Sequence, residues 1–245
     1  MAQTIKLLAA EQTVAFDTEY VDAPMFSLVQ AALHEHGLAD QSIHLMDVGG
    51  GVGKYVDRFL HHFPLATATV IEPEKSLLDK NIAHDRKTLS LGTFQSVLYT
   101  PPTHVVQFNW VLHHFISDNY EASCDLQLEG LQDAYRMLEP GGIVVIFENF
   151  YEGWGWDDLP GTLIHAVTSS SILKPLAQRL GANTAGVGVC FHSENYWREL
   201  LAEVGFESIR STHCYDFGNL SAAKKVCLGL RAQRVGLLVA RKPLV

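Results

Sequence analysis

The chain is poor in the features that mark several broad protein classes. Its four cysteines (Cys124, Cys190, Cys214, Cys227) include no C-x-x-C pair, so neither a disulfide framework nor a zinc site is expected. Positive charge is scarce: 18 Lys and Arg stand against 27 Asp and Glu, a formal net charge of −9. With no Lys/Arg cluster, a surface that tracks nucleic-acid phosphates is excluded. No apolar run approaches the ~20 residues of a membrane span. The stretch before Glu11 has one lysine, Lys6, and a short apolar run, too little for a signal peptide. Low-complexity tracts are missing as well. The expectation is a cytoplasmic globular protein with reduced thiols and neither nucleic-acid nor membrane partners. Its 245 residues suit one α/β domain with elaborations.

What the chain does have is concentrated in His44-Leu-Met-Asp47-Val-Gly49-Gly50-Gly51-Val-Gly53-Lys54-Tyr55. An apolar run ending in an acid, then in closely spaced glycines, then in a helical pattern predicts strand, tight turn and helix N-terminus. There a charged nucleotide-like ligand can approach bare backbone. A dinucleotide fingerprint would need its third glycine at position 54, where Lys54 stands. The spacing is instead Asp-x-Gly-x-Gly-x-Gly. A second predicted strand, 66–71, ends at Glu72-Pro73, roughly 20 residues after the turn, where a carboxylate can accept from both hydroxyls of a ribose. Asp47 and Glu72 then close adjacent strands at their carboxyl ends, the ligand-binding edge of open α/β sheets.

The remaining chain alternates in the same way. Residues 1–40 read as a helical cap: Asp22-Ala-Pro24 starts a helix, Met25, Leu28, Val29 and Leu33 form its apolar stripe, and Gly37 stops it. This helix, with Phe16 and Tyr20 before it, either packs over the mouth of the site or covers a sheet edge. Residues 41–245 form the main domain. A helix is predicted over 74–86, a strand over 89–94, and a fourth strand over 105–111 that runs into Leu112-His113-His114-Phe115. A long helix over 121–137 stops at Leu138-Glu139-Pro140-Gly141-Gly142 and feeds a strand over 143–148 ending in Glu148. Residues 150–192 break the alternation. They are rich in aromatics and glycine, with Trp154, Trp156 and His192, and are assigned to substrate binding, although such aromatics also anchor an insertion to its body. Ser193 caps a helix that Gly205 ends, and strands over 206–215 and 235–241 close the chain.

Asp47-x-Gly49-x-Gly51-x-Gly53, Leu112-His113-His114 and Leu138-x-Pro140-Gly141-Gly142 together resemble the class I S-adenosylmethionine (SAM)-dependent methyltransferases, over residues 42–245. The histidine stretch is similar to that of bacterial small-molecule enzymes and of phenolic O-methyltransferases. The resemblance implies a Rossmann-like, seven-stranded, mostly parallel sheet with helices on both faces and an antiparallel C-terminal hairpin. It also implies SAM as cofactor, with S-adenosylhomocysteine as product. Asp47, Gly49, Gly51, Gly53, Glu72, Pro73, Thr93, Phe94, Asn109 and Phe115 take the cofactor positions, Thr93 standing where the family has an acid. His113 takes the position of the general base. His114 replaces the family's aspartate, and Ile116 is one extra residue.

His114, Glu148, Trp154, Trp156, His192 and Tyr20 are the substrate-side candidates, Glu148 either orienting a histidine or binding substrate. Glu148-Asn149 with Asn109 resembles the magnesium site of catechol-type methyltransferases only loosely, two of the three being amides, and no metal is expected. The expected function is methyl transfer to an O or N of a small aromatic or heteroaromatic metabolite by in-line displacement, in a monomer or homodimer. A SAM-binding cyclase or sensor that transfers no methyl is the alternative.

Overall fold

The computed structural model describes Lys6 and residues 20–97, 101–179, 181–182, 184–217 and 220–244. Seven strands, β1 (His44–Val48), β2 (Thr67–Glu72), β3 (Lys87–Leu91), β4 (Thr103–Asn109), β5 (Leu138–Gly153), β6 (Glu207–Asp216) and β7 (Leu230–Arg241), form one sheet in the order β3-β2-β1-β4-β5-β7-β6. β7 alone runs antiparallel, to β5 on one side and β6 on the other. The helices are α1 (Ala23–Glu35), α2 (Lys54–His62), α3 (Lys75–Leu78), α4 (Tyr120–Met137), α5 (Leu159–Ser169), α6 (Lys174–Arg179), α7 (Glu194–Val204) and α8 (Ala222–Cys227). Among the described residues, no helix is long and apolar enough to cross a membrane.

Both faces of the sheet are covered, so β1 is buried along its whole length and reads as a near-continuous apolar run. Side chains alternate across it with the period of a strand. Leu45, Val105, Ile143, Val145 and Phe147 enter one core with α1 and α2, whereas Met46, Val48, Phe108, Val144 and Ile146 enter the other with α4 and α7. α1 starts as its sequence predicts, Asp22 accepting from the Met25 N–H at 2.9 Å. Its residues Phe26, Val29 and Leu33 sit in the core of the α/β body, each stabilising it by about 1.5–3 kcal/mol. The helical expectation for residues 1–19, including Phe16, lies outside the described residues apart from Lys6.

Several predicted elements differ in their bounds. The helix expected over 74–86 is only α3, because Asn81 donates from Nδ2 to the carbonyls of Leu78 (3.0 Å) and Gly51 (2.9 Å) and draws the chain toward the glycine turn. The third strand ends at Leu91, and Phe94–Ser96 form a 3₁₀ turn instead of its tail. The fifth strand continues past Glu148 to Gly153, since β7 begins at Leu230 and offers it an antiparallel partner throughout.

His44, at the start of β1, meets Thr67 Oγ1 at 2.8 Å through Nδ1 and Thr69 Oγ1 at 3.0 Å through Nε2. Desolvation, with His104 adding to it, pushes its pKa down from 6.5 to about 4. The imidazole is neutral in the fold and takes up a proton on unfolding. Its contribution is complete above pH 6.5 and is lost as the pH falls toward 4. It amounts to roughly 2 kcal/mol once solvent screening is allowed for. His44→Val is therefore expected to flatten the pH dependence of urea-unfolding stability across this window, measured against wild type.

Candidate active site

The site begins where β1 ends. Gly49 and Gly50 donate their N–H groups to the Ile71 carbonyl of β2, at 2.8 and 3.2 Å, which closes the turn onto the neighbouring strand. Gly49 has φ +66°, and a Cβ there would lie 2.6 Å from Val111 Cγ2. At Gly50 a Cβ would lie 2.5 Å from Asp47 Oδ2 and 2.8 Å from Val70 Cγ1. The Gly51 N–H donates to Glu72 Oε2 at 3.0 Å, and the Glu74 N–H to Glu72 Oε1 at 2.9 Å. Two backbone donors thus fix the orientation of the Glu72 carboxylate. Burial raises its pKa, and those same donors oppose the shift. Gly53 serves a different purpose from the one expected. It caps α2 at φ +73°, and a Cβ there would collide with Asn81 Oδ1, so it makes room for the Asn81 strut and is not part of the cavity lining.

A cavity of about 550 Å³ opens above this turn. Asp47, Gly49, Gly51, Glu72, Pro73, Thr93, Phe94, Asn109 and Phe115 line it, as do His113, His114 and Tyr20. Asn109 is held in a polar chain: its Oδ1 accepts from Gln107 Nε2 at 2.7 Å, and Gln107 Oε1 accepts from the Tyr55 hydroxyl at 3.0 Å. Tyr20, half exposed, sits at the rim with its ring edge-on to Trp110.

His113 lies in a 3₁₀ turn, Leu112–His114, after β4. Its Nδ1 meets both oxygens of Glu148, at 3.0 and 2.8 Å, and its backbone N–H donates to Glu148 Oε1 at 3.3 Å. Glu148 is fully buried at the level where β5 passes behind the turn. It does not line the cavity; its carboxylate meets the His113 ring and N–H instead. With Nδ1 engaged, Nε2 is the nitrogen left to take a proton. The rings of His114 (4.2 Å) and Phe191 (4.6 Å) flank the imidazole. Burial and then the charge of His113 hold the His114 pKa well below 6.5, which keeps that ring neutral.

Besides Glu148, three expected substrate-side residues do not reach the cavity. Trp154 and Trp156 are 68% and 57% exposed, because the extended β5–β7 ribbon carries them beyond the sheet edge. His192 is completely buried, with Nε2 2.8 Å from Gln127 Oε1 and Nδ1 3.5 Å from Asp158 Oδ1. Burial disfavours its protonation, but Asp158 and Cys124 outweigh that and raise its pKa. Phe191, one residue earlier, packs its ring against His113, and the Cys190 N–H donates to the His113 carbonyl at 2.9 Å. Sequence reasoning missed Trp110, which lines the cavity at φ +55°. Few non-glycine residues adopt that conformation, and those that do cluster at functional sites. It is held there by stacking on Phe147 (5.7 Å, 17°) and by Nε1–H donation to Asn149 Oδ1 at 3.1 Å. Nothing in the sequence signals a left-handed tryptophan.

A parallel sheet with β7 alone reversed, and a ligand cavity at the carboxyl ends of β1, β2 and β4, makes this the fold of the class I SAM-dependent methyltransferases. The chain belongs to the O-methyltransferase domain family, whose model matches residues 22–169. Pluviatolide O-methyltransferase from Sinopodophyllum hexandrum is 23% identical over 67% of this chain and 39% of its own length. Trans-resveratrol di-O-methyltransferase from Vitis vinifera is 24% identical over 69% of this chain and 42% of its own length. The chain thus spans about two fifths of the length of these curated relatives. Among solved structures, phosphoethanolamine N-methyltransferase 2 from Haemonchus contortus shares the fold with TM-score 0.61 at 14% identity, over 94% of this chain and 56% of that one.

The residues present fit SAM, the cofactor of the family. Gly49, Gly50 and Gly51 line the cavity with backbone that carries no side chain, and beside them the Glu72 carboxylate is held in place by two backbone donors. Replacing Glu72 with Ala removes a charged acceptor worth about 1.5–3 kcal/mol. Glu72→Ala is expected to weaken SAM binding by roughly 10- to 150-fold in isothermal titration calorimetry, with an unchanged far-ultraviolet circular dichroism spectrum.

Proposed function

We propose that this chain transfers the methyl group of SAM to a phenolic oxygen of a small aromatic metabolite, in a reducing, cytoplasmic setting that suits its four thiols. The observation that carries the reading is the buried Glu148 carboxylate on Nδ1 of His113, which leaves Nε2 as the proton-accepting nitrogen of a ring that lines the cavity. The names of the two relatives, both O-methyltransferases of small molecules, support oxygen over nitrogen as acceptor.

Bound SAM supplies an electrophilic methyl group on a good sulfonium leaving group. The protein does the rest. Glu72 accepts from the ribose hydroxyls, and Phe94 and Phe115 offer apolar surface to the adenine, both held edge-on by Phe108. Asp47 and Asn109 close the floor at the ends of β1 and β4. His113 takes the acceptor's proton at Nε2, and Glu148 stabilises the imidazolium from the other side. The role expected of Trp154 and Trp156 falls to Trp110, Tyr20 and Phe217, which line the cavity and offer ring surface to a flat acceptor. Alignment of donor and acceptor can supply roughly 7–11 kcal/mol of the barrier reduction, and the base about 10²–10⁴-fold in rate.

The reaction is followed as S-adenosylhomocysteine released from SAM in the presence of a panel of phenols. His113→Ala is expected to lower kcat by roughly 10²–10⁴-fold while SAM affinity stays within twofold. Glu148→Gln, which keeps a hydrogen bond but loses the charge, should fall between wild type and His113→Ala. Tight SAM binding with no S-adenosylhomocysteine formed from any acceptor would overturn methyl transfer and leave the non-methylating reading.

A further inference from the structure

Behind His113, away from the cavity, a second set of chemically active side chains meets. Cys124 comes from α4, and Cys190 and His192 come from the segment just before α7. His192 Nε2 lies 3.3 Å from Cys190 Sγ and 3.9 Å from Cys124 Sγ, and all three atoms fall within 4.8 Å of one another. A tetrahedral zinc ion, with bonds of about 2.3 Å to sulfur and about 2.0 Å to nitrogen, needs S···N separations near 3.6 Å and S···S near 3.8 Å. The observed spacings bracket the first of these. Buried thiols that merely fill a core pack against apolar groups. Buried Cys190 and half-buried Cys124 instead converge on an imidazole.

The surroundings are arranged as a coordination site requires. Gln127 is pinned by Nε2 donation to the carbonyls of Leu112 (3.1 Å) and Cys190 (2.9 Å), which turns its Oε1 toward His192 Nε2. Asp158 Oδ1 stands 3.5 Å from Nδ1 of His192 and accepts from the Ser193 N–H at 3.1 Å. A carboxylate on the distal nitrogen is the usual partner of a metal-ligating histidine. The Tyr196 ring, stacked at 3.6 Å and 8°, fixes the plane of the imidazole.

We propose that Cys124, Cys190 and His192 bind one thiophilic divalent cation of the zinc type, with Gln127 Oε1 as the oxygen neighbour at the fourth corner. Binding forms two metal–sulfur bonds and one metal–nitrogen bond; the two thiols release their protons to solvent, and the imidazole proton that Nε2 donates to Gln127 Oε1 is exchanged for one on Nδ1, facing Asp158. The ion clamps α4 to the segment that seats Phe191 against His113. In that segment the Cys190 N–H donates to the His113 carbonyl at 2.9 Å. The site stands independently of the methyl-transfer reading, because binding is read without turnover.

The test is a titration of the reduced full chain, its four thiols counted beforehand, with Co²⁺ and then with Zn²⁺ as competitor. One equivalent of Co²⁺ is expected to produce a thiolate-to-cobalt charge-transfer band, and one equivalent of Zn²⁺ should abolish it. Cys124→Ser, at a half-buried position, should retain its circular dichroism spectrum and lose the band. Asp158→Asn should weaken binding by roughly 10- to 100-fold, and Cys227→Ser, at an exposed position, should change nothing. No charge-transfer band in the folded, reduced wild type would overturn the proposal, whatever the variants do. So would a band of full intensity in Cys124→Ser, which would place the ion elsewhere.

Discussion

Strand β1 hydrogen-bonds in parallel to β2 on one edge and to β4 on the other, and the rest of the site depends on that shared register. Val48 aligns with Ile71 on one side and with Phe108 on the other. The strand ends therefore arrive together, and Asp47, Glu72 and Asn109 stand around one opening. Chain order reverses at this strand, so the helices that follow β1 and β4 diverge and leave a crevice between them. The glycine turn fills the crevice floor with backbone alone. Its two N–H bonds to Ile71 fix the turn to β2, and the Gly51 N–H fixes Glu72 in return.

The second constraint is the burial of Glu148. A carboxylate shut away from water is costly unless every oxygen is occupied. Here the His113 ring, the His113 N–H and the Asn149 N–H all contact it. The same contacts that make its burial tolerable fix the orientation of His113. The burial of Glu148 and the orientation of His113 are thus met by one set of hydrogen bonds. The segment over 189–192 completes the support from the other side, with Phe191 between His113 and Tyr151, stacked 4.6 Å from the latter. The insertion thereby contacts the site from behind His113.

The composition and spacing of the chain carried much of this. The Asp47 to Gly53 run, the acid at Glu72 and the Leu138 to Gly142 helix stop each belong to a strand–turn–helix unit whose residues are close in sequence. Local backbone geometry and apolar period suffice to read them. Most of the cavity lining follows, because the ends of parallel strands collect at one edge. Gly53 was legible as a glycine that must be one, but the reason for it, a side chain 28 positions later, was not. Trp154 and Trp156 looked like substrate contacts because they are aromatic and follow a core strand. The length of the β5–β7 ribbon, set by pairing between distant segments, removes them from the cavity.

The sequence by itself thus determined the fold class, the glycine turn with the acid at Glu72 and the position of the histidine turn, all of which rest on interactions within one supersecondary unit. Only the tertiary structure decided that Glu148 stands behind His113, 35 positions away, that Trp110 is held in a left-handed conformation, and that Cys124 and His192, 68 positions apart, meet beside Cys190. Such contacts depend on which strands are neighbours and how far each one runs. Pairing along the whole sheet settles that, and no local period records it.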